Sequence, residues 1–166
     1  MTQMTNGSGA GPQKLILRCG QCPGDVVVMT AAVRELHRQY PGRYLTDVRT
    51  PAAAIWENNL DITPIADGEA GARTIDMHYP LVNQSNQRPV HFLEGYCEYL
   101  AAQLGLTSLR PQEFRGHIYL SEQEKSWTNQ VAETARHKGR FWLVNAGVWC
   151  LRKSARRSTA TRRWKT

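Results

Sequence analysis

The apolar and polar positions alternate between two periods along the chain. Lys14 to Cys19, K-L-I-L-R-C, is a short apolar run bounded by polar residues and predicts a buried strand. After the turn G-Q-C-P-G, Val26, Met29, Val33, Leu36 and Tyr40 recur three or four apart, which predicts a helix from about Asp25 to Gln39. Pro41-Gly42 ends it. Arg43–Thr50 predicts a second strand, Pro51 opens a short helix through Trp56, and strands are expected at Ile62–Ala66 and Thr74–His78. A second long helix is predicted over Val90–Leu104, with Phe92, Tyr96, Leu100 and Leu104 inward and Gly105 closing it. Gly116–Leu120 reads as a further strand. Ser121-Glu122-Gln123-Glu124 has capping-box spacing and starts a third helix that carries Trp127, Val131 and Ala135 inward and ends near Gly139. Phe141–Asn145 reads as a last buried strand. Trp56, Trp127 and Trp142 are expected in the core. Strand and helix alternate without repeats, which predicts an α/β domain with a mostly parallel sheet.

Composition sharpens this picture. Of 166 residues, 41% are hydrophobic and 21% charged, a globular balance. The net charge of +7 sits at one end. Arg152, Lys153, Arg156, Arg157, Arg162, Arg163 and Lys165 follow Trp149 with no acid among them. Removing these seven from the 21 basic residues leaves 14 against 14 acids, so the body is neutral. A basic nucleic-acid-binding domain is thereby excluded as the default, and no specific nucleic-acid partner is expected. Residues 1–13 read as a flexible leader, 14–148 as the domain, and 149–166 as a disordered basic tail. That tail would bind polyanions weakly and without selectivity. No apolar run reaches the roughly 18–20 residues of a membrane span. Four cysteines without a secretory signal fit a reducing, cytoplasmic setting rather than a disulfide framework. One C-x-x-C and scattered histidines leave no expected metal site. His78 and His91 could line the cleft, but a lone histidine is more often structural, and neither is assigned to the site.

The chemistry-bearing segment is strand, G-Q-C-P-G-D, helix. Ligands of open α/β sheets sit beyond the carboxyl ends of strands, where this loop lies. Gly20 and Gly24 permit close backbone approach, and Asp25 stands where the helix dipole favours negative charge. The plain alternative makes Asp25 the helix N-cap. The glycines do not form G-x-G-x-x-G, so a dinucleotide fingerprint is weak. Cys19 and Cys22 form a C-x-x-C, which raises thiol redox chemistry as the rival function; two unpaired thiols near a loop is its plain counterpart.

The stretch C-P-G-D-V-V-V-M-T-A-A-V-R-E-L-H-R-Q-Y-P resembles the opening motif of the family 9 glycosyltransferases, the ADP-heptose:lipopolysaccharide heptosyltransferases. Gly24, Asp25, Thr30, Ala31, Ala32, Tyr40 and Pro41 carry the likeness. H-F-L-E-G-Y-C-E-Y-L-A-A-Q-L-G-L and F-W-L-V-N-A-G-V are also similar, so the resemblance spans roughly residues 14–148. It implies the Rossmann-like N-terminal half of a GT-B architecture, which receives the acceptor. Asp25 matches the family's general base, with Pro23, Gly24 and Thr30 in the acceptor loop. Asn145 and Gly147 match the turn leading to the donor-phosphate element, but the K-x-W expected after it is missing. The resemblance therefore implies a truncated or frameshifted product without a donor domain, or an inactive fragment. The implied substrates are an ADP-heptose-like nucleotide sugar and a glycan, lipopolysaccharide or protein acceptor, with no cofactor. The implied setting is cytoplasmic, peripheral at the inner face of the membrane, with self-association through the uncovered inter-domain face.

Overall fold

A computed structural model describes residues 11–142 except 79, 82, 83, 85, 86, 129, 137 and 138. The chain divides into two compact units, Met1–Trp127 and Thr128–Thr166. The first contains strand β1 (Gln13–Arg18), helix α1 (Pro23–Gln39), strand β2 (Tyr44–Arg49), a single 3-10 turn (Ala53–Trp56), strand β3 (Arg73–Asp76), and helices α2 (Phe92–Leu104) and α3 (Glu122–Ser126). The described part of the second contains helix α4 (Gln130–Ala135).

The three strands form one parallel sheet in the order β2-β1-β3. Leu15, Ile16 and Leu17 are all buried, as a central strand covered on both faces requires. Register places Leu17 beside Val48 and Ile75, so one face carries Leu15, Leu17, Tyr44, Thr46 and Ile75. The apolar stripes of α1 (Val26, Met29, Val33, Leu36) and α2 (Tyr96, Cys97, Leu100) join these residues in a single core. Here α/β character and the parallel sheet agree with the periodicity. Trp56 is buried, as expected.

Helix α1 starts two residues earlier than its apolar period suggests. Pro23 occupies the first turn, where a missing N–H costs nothing, and Cys22 is the N-cap. Helix α2 starts at Phe92, capped by His91, whose Nδ1 accepts from Leu93 N at 3.2 Å while Glu94 reaches back to His91 N at 3.0 Å. Gly105 closes α2 in the left-handed conformation (φ 64°). Phe92 is 38% exposed, not inward; Leu93 takes its place. Tyr96 and Leu100 are buried as expected, and bare Gly95 admits Leu81 and Pro80 against the helix, where a Cβ would stand 3.0 Å from Leu81.

Three expectations fail within the described residues. Ile62–Ala66 is no strand: one bridge joins Ile62 to Thr46, Pro64 interrupts the ladder, and Ile65 N donates to the Asp47 carboxylate instead. Gly116–Leu120 joins no sheet; His117 N donates to Thr30 Oγ1, and the segment lies against α1. The third helix does form its capping box at Ser121, but it stops at Ser126. Trp127 is extended (ψ 128°) and 67% exposed. Ala135 is exposed as well. Phe141 and Trp142 belong to no strand and are 44% and 95% exposed. The rest of that predicted strand, Asn145, Gly147, the basic tail and most of the leader lie outside the described residues.

Candidate functional site

The turn between β1 and α1 emerges at the carboxyl end of the central strand. Cys19 N donates to Arg49 O (2.9 Å), which anchors the turn to β2, and the Cys19 side chain is buried in the core. Gly20, Cys22, Pro23 and Gly24 are exposed, and Asp25 is half-buried. Val26 N donates to Cys22 O (3.1 Å), the first bond of the helix. Asp25 is therefore not the N-cap. It is the third helical residue, and its Oδ2 accepts a hydrogen bond from the Cys22 thiol at 2.9 Å. Among the described residues Oδ1 accepts none.

The neighbouring strand end adds charge. Arg18 Nε and Nη2 donate to Asp76 Oδ1 and Oδ2 at 2.8 and 3.1 Å, a bidentate pair across β1 and β3 that is about half exposed. Met77 N donates to Arg18 O (2.7 Å), and Tyr99 donates from its hydroxyl to Asp76 O (2.8 Å). The exposed His78 ring stands edge-on to Tyr99. Arg18 and Asp76 were not among the sequence candidates, and His78 was weighed as a cleft residue without being assigned; the signal available was their position at strand ends.

Of the predicted acceptor-loop residues, Pro23 and Gly24 lie beside the predicted base Asp25 in the first turn of α1. Thr30 does not join them. It is 1% exposed, donates from its hydroxyl to Val27 O (2.6 Å) and accepts from His117 N (2.8 Å), so it ties the Gly116–Leu120 segment to α1. Burial pushes the Cys19 thiol up, and the nearby Asp25 and Cys22 charges add to this against a hydrogen bond from the Gln21 backbone. A thiol so protonated is a poor nucleophile, which weighs against redox use of the C-x-x-C. His91 serves as the cap of α2. Among the described residues no group of three or more His, Cys, Asp or Glu side chains could hold a metal ion. A separate groove of about 280 Å³ runs beside α2, lined by Glu94, Glu98, Leu106, Ser108 and Arg110 among others, and no residue of the Cys19–Asp25 turn lines it.

Fold and site together define an α/β domain whose central parallel strand delivers a carboxylate to the head of a helix. No family model, curated protein or solved structure matches the chain. No helix among the described residues is long and apolar enough to cross a membrane.

Proposed function

We propose that this chain is the acceptor-side domain of a heptosyltransferase-like glycosyltransferase, the N-terminal half of a GT-B architecture, with Asp25 as general base. The observation that carries the reading is the half-buried Asp25 carboxylate in the first turn of α1, beyond the end of the central parallel strand, whose Oδ1 accepts no hydrogen bond among the described residues. An acceptor hydroxyl would give its proton to Oδ1 as its oxygen attacks the anomeric carbon of an ADP-heptose-like donor. The bond from that carbon to the diphosphate breaks, and the nucleoside diphosphate departs. The diphosphate requires fixed dipoles or cations where its charge develops. In this reading they come from a second, donor-side domain, and Asn145 and Gly147 belong to the turn leading towards it. The acceptor is a glycan, such as a lipopolysaccharide core, or a protein, reached from the cytoplasmic face of the membrane.

The test joins the chain to a heptosyltransferase donor domain and follows product from an ADP-sugar and a core oligosaccharide. Asp25→Asn should lower the rate by about 10²–10⁴ while the fold persists. Near-normal turnover by the folded Asn variant rejects the role. Absence of any transfer by the native fusion, together with failure of the chain to bind the oligosaccharide, rejects the class.

A further inference from the structure

The head of α1 is capped in an unusual way. An N-cap side chain ordinarily accepts a hydrogen bond from the second or third helical N–H. The Cys22 side chain makes no such bond. It is turned instead onto the carboxylate of the third helical residue and donates to it, Sγ to Oδ2 at 2.9 Å. Backbone rigidity supports this placement: Cys22 O is held by Val26 N, and Pro23 fixes the first helical φ. The terminal torsion of an aspartate is otherwise broad, and a half-exposed carboxylate would rotate freely between its two oxygens.

We propose that Cys22 is a positioning residue for Asp25: its thiol holds Oδ2 and so leaves Oδ1 presented to the acceptor hydroxyl. This rests on the glycosyl-transfer reading of the site. It also gives the exposed cysteine of the C-x-x-C a use other than redox exchange. Cys19, the second thiol of the loop, is buried and directed into the core, so it supplies no competing donor to the carboxylate.

Two measurements on the full chain test it. Infrared difference spectra between the native protein and Cys22→Ser isolate the S–H stretch of Cys22, expected at the lowered frequency of a bonded thiol. In Asp25→Ala that band should move up to the free-thiol position; a band indifferent to Asp25 overturns the inference. Calorimetry with a lipopolysaccharide core oligosaccharide then reads the consequence. Cys22→Ala should weaken binding about threefold to tenfold, the worth of one ordinary hydrogen bond. Cys22→Ser, which keeps a donor, should restore it to near the native value. Equal binding by Cys22→Ala overturns the positioning role. Lack of binding by the native chain overturns the glycosyl-transfer reading and the role with it, whereas the S–H spectrum reports on the thiol–carboxylate contact independently.

Discussion

The two ends of α1 treat their polar residues in opposite ways. At the carboxyl end, Glu35 is only 1% exposed, yet it accepts from Arg38 Nε at 2.7 Å and Gln39 Nε2 at 3.0 Å. Gln39 also donates to Arg110 O (2.6 Å), Arg34 to Glu113 O (3.4 Å), and Tyr40 to Ser108 O (2.7 Å). His37 pairs with Thr46 of β2 at 2.9 Å. Burial drives the Glu35 carboxyl up, but the bonds from Arg38, Gln39 and the Gln112 backbone outweigh it and hold the group below its ordinary value. At the amino end, by contrast, Pro23 and Gly24 are exposed, and among the described residues the Asp25 carboxylate accepts a hydrogen bond from the Cys22 thiol alone. One helix thus carries a closed end, whose polar groups bond the 108–113 segment, and an open end, whose carboxylate keeps one oxygen without a hydrogen bond among the described residues. Buried charge is tolerable only when paired, so the first arrangement serves stability. An unbonded oxygen beyond a strand end is what a ligand can use.

The sharpest way to break this contrast is to substitute one residue at each end. Asp25→Asn should cost about 10²–10⁴ in transfer and leave the denaturation midpoint within about 0.5 kcal/mol of native. Glu35→Ala should do the reverse. Removing one member of a buried pair costs about 3–5 kcal/mol. Arg38 keeps 39% exposure and can rehydrate, so the bottom of that range, about 3 kcal/mol by urea denaturation, is expected. If Glu35→Ala is as stable as native, the closed end is not holding the fold.

Gly116 probes the contact of the returning chain with the amino-terminal half of α1. A Cβ at this position would fall onto the Val27 carbonyl oxygen. Gly116→Val should therefore lift the Gly116–Leu120 segment from α1, at about 1–3 kcal/mol, and raise protease cleavage there. Cleavage and stability equal to native would show that the segment does not depend on this contact.

The smallest effect is a pH slope. Burial holds the His37 imidazole below its ordinary 6.5, with the Asp61 charge opposing. The unfolded chain then binds a proton more readily than the folded one. Stability from this group is complete above pH 6.5 and declines as pH falls from there towards its folded value. Glu35, held below 4.5, loses its contribution at lower pH still. Asp61 runs the other way: burial raises it above 3.8, His37 and Arg34 opposing, so its ionised form burdens the fold at neutral pH and the burden eases on acidification. His37→Gln should remove the decline that begins near pH 6.5 and spare the one below 4.5. An unchanged stability curve between pH 5 and 7 would assign that slope elsewhere.

The β1–α1–β2 unit was legible because its signals are local. A buried apolar run and a stripe at helical spacing each specify an element without distant residues, and Pro41-Gly42 marks the stop. The Ser121 capping box was legible for the same reason. The failures are non-local. Gly116–Leu120 has a strand's composition, but which neighbour it meets depends on a chain some ninety residues away, and that neighbour is the α1 backbone. Thr30 looked like a loop residue of the site until His117 took its hydroxyl. Nothing in the local sequence marks Glu35 as buried; residues 108–113, which return against this end of α1, meet its polar side chains there.

The same division runs through the site. Sequence alone determined that a carboxylate would stand at the head of a helix after a buried strand, since Gly24-Asp25 follows Cys19 by a fixed short reach. Tertiary structure decided that Cys22 is the cap, that Asp25 is the third helical residue, and that the thiol turns to the carboxylate rather than to the backbone. Spacing limits which residues can meet. Which donor faces which acceptor depends on backbone angles and on burial, and those are set only when strands and helices pack together.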